Sequence, residues 1–444
     1  MELKRLVKLA IPLSIYYLTE VMMGVTDMII VGRLGSTELA AVGLTANVVI
    51  EMLLVCFGIL SMVGVLSSNA LGAGDRAQVS RVVGQGFWLA LMLAVLAIGI
   101  GLFIPDLFVA TGQDPDVVRL SRDYLAWFLW IVPFALLFVV LRNFLTVLSR
   151  AGVVAIVTIP AVGLNLALNY LFVFGKLGFP AMGVAGAGLA SVIVNVVLLL
   201  SLLLYVRFNA FCRPYRLLAS VRQFHPSIIL NIVRLGTPAG MGALLEGGLF
   251  VVVGIMMGTL GAAWLAANEI LFHIIPFAFV MALSIGEAAA VRIAFHAGAR
   301  NYQLTRWVAR TALITGCSIM LASALVLWFL PGLVIGMFME INDPENAEVV
   351  EITLSLIRIA AVFQLFDGLQ VVTLWCLRGL KDTLVPMWIA TAGYWVCGLG
   401  SGYVLGFVLG FGAQGVWVGL ATGLIVTSLL LAMRLRALFV RQQT

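Results

Sequence analysis

Seven carboxylic acids stand inside long apolar runs of this chain: Glu20, Asp27, Glu51, Glu246, Glu269, Glu287 and Asp367. An ionised side chain at the centre of a membrane helix costs about 2.5–3.5 kcal/mol on insertion scales, so acids kept there usually face a cavity and mark a path for ions or protons. Burial brings the neutral form within reach, which lets such a group load and release a proton; with oxygen partners it can hold Na⁺ instead. Neutralisation by a nearby base is a weak alternative for the two central acids. Residues 235–257 around Glu246 contain no Lys, Arg or His, and the run holding Asp367 offers only Arg358, more than two turns away, and Arg378 at its end. For Glu20, Glu51, Glu269 and Glu287, pathway and structural pairing stay equally open.

Other chemistry is thinly supplied. Glu269 and His273 share a helix face at four residues' spacing, so a proton relay is available, although a lone histidine is ordinarily a packing residue. His225 and His296 are expected in loops and give no metal spacing. Trp264, Phe272, Phe277, Phe363, Phe366 and Trp375 are aromatic groups that could meet flat cations through their π faces, with plain packing the common role. No GxxxxGK[ST] loop, DxxxD pair or histidine cluster is present. No cofactor is expected beyond Na⁺ or H⁺ as a coupling ion.

The elements that carry these acids are membrane helices. Of 444 residues, 63% are apolar and 10% charged, against about 25% charged in a soluble domain. The apolar runs approach the roughly 20 residues that cross a bilayer core. Twelve spans are expected, at 6–31, 40–68, 84–108, 121–146, 153–174, 184–207, 229–256, 262–290, 306–330, 350–375, 386–409 and 413–433. The first is too long for a signal peptide and holds two acids. Alternate loops divide the basic residues 21 to five, and the loop of Glu340, Asp343, Glu345 and Glu348 on the poorer side is purely acidic. The positive-inside rule then puts both termini in the cytoplasm, in a plasma membrane expected to be a bacterial inner one. This spread explains the net charge of +6 without nucleic acid. The five cysteines lack a CxxC spacing and read as small core residues.

The chain also repeats itself. Gly32 to Ala41 (GRLGSTELAA) recurs as Gly258 to Ala267 (GTLGAAWLAA), 226 residues on, and the same offset pairs Pro12 with Pro238 and Glu20 with Glu246. Ala73-Gly74-x-Arg76 answers Ala297-Gly298-x-Arg300 at 224, and Gly183/Gly186 answer Gly412/Gly415 at 229. The reading is an N-lobe at 1–215, a cytoplasmic linker at 216–228 inside the basic stretch Arg207 to Arg234, and a C-lobe at 229–444. The expected fold is an all-α membrane protein: twelve transmembrane helices in two six-helix bundles, related by a pseudo-two-fold axis along the membrane normal with a cavity between them. Duplicated transporters bind substrate and ions at such an interface.

At these residues the chain resembles the multidrug and toxic compound extrusion (MATE) family, most closely its NorM-like branch. The likeness runs over nearly the whole chain. It is carried by Pro12, by Gly24 to Gly32 (GVTDMIIVG) and Leu39 to Gly43, by Leu244-Leu245-Glu246, by Gln364 to Gln370 (QLFDGLQ) and by Leu377 to Asp382. The resemblance implies an exporter of amphipathic, often cationic compounds driven by inward Na⁺ or H⁺. It implies cation or proton coupling at Asp27, Glu246 and Asp367, with Na⁺ at the last two, and support from Asn165 and Asn169. Glu20 and Glu269 are added as supporting polar groups, and Phe272, Phe363, Phe366 and Trp264 as candidates for the substrate cavity. Two positions depart from the family pattern: Phe363 replaces a tyrosine that often assists the C-lobe cation, and Asn268-Glu269 replaces His-Gln. The expected partners are small-molecule amphipathic cations and membrane lipid, with the chain acting as a monomer. A lipid or lipid-linked sugar flippase is the rival transporter, disfavoured by acidic embedded charge. A major facilitator is suggested only by Gly74-Asp75-Arg76, and a lipid-modifying membrane enzyme would need clustered acids or histidines.

Overall fold

A computed structural model describes residues 2–341 and 343–441, and its regular structure is helical. Ten helices are each long and apolar enough to cross a membrane, and the pair Pro115–Phe128 and Ile131–Val147, bent by 44°, forms an eleventh span. Pro133 lies in the first turn after that bend. It has no N–H to continue the ladder of the preceding helix, which breaks there. One further span, residues 384–408 and eleventh in chain order, is helical throughout but alternates between α turns (Leu384–Thr391, Gly400–Tyr403) and π turns (Ala392–Leu399, Val404–Val408).

Glycines explain why that span lies where it does. Gly398, Gly402 and Gly406 face Gly423, Gly419 and Gly415 of the last helix (Gly412–Arg441) in antiparallel register. A Cβ on Gly415 would stand 2.6 Å from the Gly406 nitrogen, and Cβ atoms on Gly419 and Gly423 would strike the backbones of Gly402 and Gly398. Small residues at four-residue spacing let two membrane helices touch backbone to backbone, which is how they gain dispersion contact when lipid already satisfies apolar groups.

The chain packs as two compact units, Ile15–Gly240 and Met1–Ser14 with Met241–Thr444. The boundaries fall inside the first and seventh helices (Glu2–Gly32 and Pro226–Leu260). Within the first unit, residues 226–240 lie close on the second helix (Ser36–Gly72): a Cβ on Gly58 would stand 2.7 Å from the Gly240 Cα. Within the second, Glu2 accepts from Arg292 Nη2 at 2.7 Å. The buried His296 lies beside both and belongs to the helix Ala262–Gly298. The loop position expected for His296 is therefore corrected: its helix runs a full two turns past the apolar stretch, held by that ion pair.

The backbone carries one order of turns twice. Gly35 and Gly261 cap helices at φ 159° and 136°; Gly74 and Arg300 follow at 80° and 55°; Gly183 and Gly412 close the series at 56° and 57°. Asp75 and Asn301 each accept the backbone N–H three residues on, and Asp114 and Asp343 each cap a following Pro turn. Gly74 thus answers Arg300 at 226 residues, so the 224-residue match of the sequence is shifted by two. The motif looked alike, but the caps set the register.

Gly419→Val forces side-chain atoms into the Gly402 backbone and is expected to lower stability by at least about 1–3 kcal/mol, as overpacking does. Gly99→Ala, where nothing lies within 4 Å, should leave the melting point unchanged or raise it. Thermal unfolding followed by size exclusion checks both; an unshifted Gly419→Val would show that the backbones do not touch.

Candidate ion-coupling sites

In the first unit the fifth helix (Ala151–Phe174) presents Asn165 and Asn169 one turn apart, and the sixth (Val184–Phe208) presents Ser191. All three point at Asp27. Its Oδ1 accepts from Asn165 Nδ2 at 3.0 Å and from Asn169 Nδ2 at 2.6 Å, and its Oδ2 accepts from Ser191 Oγ at 3.1 Å. Asn169 also donates to the Asn165 carbonyl at 3.0 Å, which fixes its amide plane. Asn165 and Asn169 are essentially inaccessible, and their Oδ1 atoms are buried without a protein partner. The carboxylate is therefore satisfied by neutral donors, and two bare carbonyl oxygens stand beside it. Carboxylate and carbonyl oxygens are the ligand type that a hard cation takes, and the same carboxylate can accept a proton.

The sequence named Asp27, Asn165 and Asn169 but missed Ser191. The available signal was Ser191 with Asn195, two polar residues one turn apart within the apolar stretch 184–200.

Glu20 is in a different setting. The charge of Arg142 acts on it, and Arg142 is buried, with its guanidinium 4.8 Å from the Tyr16 ring centre and 5.4 Å from that of Tyr17. Arg142 had been counted with the loop bases. It lies within the helix Ile131–Val147, where two tyrosine faces and an acid hold a cation that a loop would leave in water.

In the second unit a cavity of about 10 Å³ is lined by Glu246 from the seventh helix, Phe363 and Asp367 from the tenth (Ala347–Gly379), and Tyr394 from the π turn of the eleventh. That volume is at the threshold for a single water. A drug-sized ligand needs roughly 300–1,000 Å³, so this cavity is fit for an ion or a proton and nothing larger. Asp367 and Tyr394 are buried. The Tyr394 hydroxyl is buried without a hydrogen-bond partner of good geometry, as is Gln370 Oε1. Trp395, the next residue, donates to the Leu245 carbonyl at 3.1 Å and so ties this π turn to the helix of Glu246. Tyr394 went unnoticed in the sequence because an apolar stretch with one tyrosine carries no signal.

The remaining candidates are dispersed. Phe363 and Phe272 both pack on the fully buried Trp417, with ring centroids 5.8 and 6.0 Å away, and Phe272 also meets Phe250 at 5.3 Å. Phe366 and Trp264 are partly buried against the same core. Glu269 is exposed, as is His273, which stacks on Phe338 at 6.4 Å. Glu287 is buried and Glu51 half-buried. Among the described residues, no three His, Cys, Asp or Glu side chains gather as a metal site.

A profile of the MatE family matches the chain twice, over residues 12–171 and 238–404, beginning at Pro12 and again at Pro238. Among curated proteins, the probable multidrug resistance protein NorM of Burkholderia mallei is 36% identical, covering 96% of this chain and 91% of its own length. The protein of that name from Synechocystis is 31% identical over 100% and 96%. Among solved structures, an outward-facing multidrug resistance MATE family transporter of the MOP superfamily superposes with a TM-score of 0.88 at 22% identity, covering 100% and 97%. A eukaryotic MATE transporter does so at 0.84 and 20%, covering 99% of each chain. At those identities the structures speak for the fold.

If neutral donors hold an ionised Asp27, Asn169→Ala should cost about 1.5–3 kcal/mol, the range for a hydrogen bond to a charged group. It should cost much less in an Asp27→Asn background. A double-mutant cycle of thermal unfolding measures the difference; strictly additive losses would remove Asn169 from the site.

Proposed function

The chain belongs to the MatE family, an integral membrane transporter family, and on that premise we propose that it is a multidrug exporter working by antiport. Na⁺ or H⁺ enters at Asp27 and at the Glu246–Asp367 pair, and amphipathic, cationic compounds leave. The termini lie in the cytoplasm, as the 21-to-five division of basic residues favours, and the membrane is a bacterial plasma membrane. The working unit is one chain of two lobes, 1–215 and 229–444, joined by 216–228.

One observation carries this reading: acids in both units are set among neutral oxygen and amide groups, and in the second the space beside them admits only an ion. Since a drug cannot share that small cavity, coupling there has to run through conformation. An ion that binds one state more tightly than another shifts the balance between outward and inward forms, and a substrate with the opposite preference shifts it back. One charge falling through about 100 mV releases about 2.3 kcal/mol. At about 1.4 kcal/mol per tenfold, this sustains roughly a fortyfold gradient, so ATP is not required. Tyr394 brings to the second site the hydroxyl that Phe363 lacks.

Dye efflux from proteoliposomes under separately imposed Na⁺ and pH gradients tests the proposal. Asp367→Asn should reduce gradient-driven efflux by at least about tenfold, ~1.4 kcal/mol, while folding stays largely intact; undiminished efflux would count against coupling at this acid.

Tyr394→Phe should raise several-fold the ion concentration that gives half-maximal efflux, and adding Phe363→Tyr should bring it back. A Tyr394→Phe protein with an unaltered ion dependence would leave the hydroxyl without a role.

A further inference from the structure

Between Asp123 and Glu246 the chain contains no acidic residue, yet it holds Arg142, Arg150, Lys176, Arg207, Arg213, Arg216, Arg222 and Arg234. Four of these arginines fall in 207–222: Arg207 in the last turn of the sixth helix, which ends at Phe208, and Arg213, Arg216 and Arg222 after it. This segment is not a loose tether. Gln85, fully buried, donates to the Gln223 carbonyl at 2.6 Å and accepts from the His225 N–H at 2.9 Å. Trp88 Nε1 donates to the Val221 carbonyl at 2.8 Å, and a Cβ on Gly84 would stand 2.7 Å from Ser220 Oγ. Docking sorts the side chains. Cys212, Tyr215, Leu217 and Ser220 are buried, while Phe211, Arg213, Arg216, Arg222 and Phe224 are exposed.

Two further arginines come to the exposed side from other parts of the unit. Arg150 places its guanidinium 4.2 Å over the Phe211 ring. Arg76 lines a cavity of about 290 Å³ with Phe211, Pro214 and Tyr215. Burial pushes the Tyr215 hydroxyl and the Cys212 thiol up, and the charges of Arg76 and Arg150 respectively oppose it, which sets both guanidinium groups beside this turn. Among the described residues, none of Arg76, Arg150, Arg213, Arg216 and Arg222 is in a salt bridge. Phe208 and Phe211 are 70% and 65% exposed beside them.

We propose that this docked segment is a binding site for one anionic phospholipid, its phosphate held by Arg76, Arg150 and Arg216 and its acyl chains lying along Phe208 and Phe211. Guanidinium groups match phosphate oxygens, and exposed aromatic rings at the end of a membrane helix belong at the headgroup level. The rings stand at the end of a membrane-crossing helix, where acyl chains and phosphate meet, and this place favours a lipid over an acidic protein or a nucleic acid. The site depends on the membrane placement of the chain and not on the coupling acids.

Native mass spectrometry of the whole protein tests it, with added phosphatidylglycerol compared against phosphatidylcholine, and with inorganic phosphate in a separate arm. Phosphatidylglycerol should be retained in preference, and Arg150→Gln with Arg216→Gln should weaken that retention by roughly thirtyfold, as loss of two interfacial arginines implies. Arg119→Gln with Arg122→Gln should change nothing. In the unaltered protein, phosphatidylglycerol nanodiscs should slow hydrogen exchange over residues 209–224 relative to phosphatidylcholine ones, a readout that needs no variant. Equal retention of the two lipids, exchange indifferent to lipid charge, or displacement of the lipid by inorganic phosphate would each overturn the proposal. Dye efflux by the arginine variant reports separately on transport.

Discussion

A buried carboxylate must be satisfied by something, and what satisfies Asp27 decides what it can do. Had an arginine been placed beside it, the acid would be locked as an ion, because separating a buried pair leaves an uncompensated charge at a cost of several kcal/mol. Three neutral donors instead stabilise the charge without cancelling it. The site stays attractive to a cation and stays able to accept a proton. Elsewhere the molecule does use full ion pairs, Glu2 with Arg292 at 2.7 Å and Asp382 with Arg434 at 2.8 Å. Both lie near helix ends, where fixing the backbone is useful and titration is not needed.

Size does in the second unit what hydrogen bonding does in the first. The backbone contact between the last two helices leaves no room for side chains along the Gly398–Gly402–Gly406 row. The π turn that follows from this glycine-rich stretch delivers Tyr394 to Glu246 and Asp367. A regular α-helix through 392–399 would turn the residues after it, Gly402 and Gly406 among them, by a different angle. Inserted π turns are common where function needs a side chain re-aimed. The helix irregularity and the ion-sized space are thus one feature.

Much of this was legible in the sequence because lipid imposes a simple grammar. Apolar run length located the membrane helices, and two central acids in stretches poor in cations, Glu246 and Asp367, drew attention to the candidate site of the second unit. What escaped was local. Arg142 read as a loop base since it stands near a span's end; only the folded chain shows Tyr16 and Tyr17 closing over it. His296 read as a loop residue because apolarity stops before the helix does. Ser191 and Tyr394 come from helices distant in sequence from the acids they serve, and pairing across such distances leaves no mark in a single chain. The linker's arginines were visible as charge, but the buried face that docks them depends on Gln85 and Trp88, more than a hundred residues away.

Comparing the two copies at their common offset shows how one scaffold came to hold two unlike sites. Glu20 answers Glu246, but Asp27 answers Val253, which is fully buried and apolar. In the first copy the charge of Arg142 acts on Glu20, while Asp27 is met by the neutral donors Asn165, Asn169 and Ser191. At the 229-residue offset of Asp114 and Asp343, Arg142 answers Val371. The second copy has no acid opposite Asp27 and no base opposite Arg142, and Glu246 shares its cavity with Asp367 and Tyr394. The two settings differ: Asp27 lies beside bare amide oxygens, while Glu246 and Asp367 line a cavity of about 10 Å³.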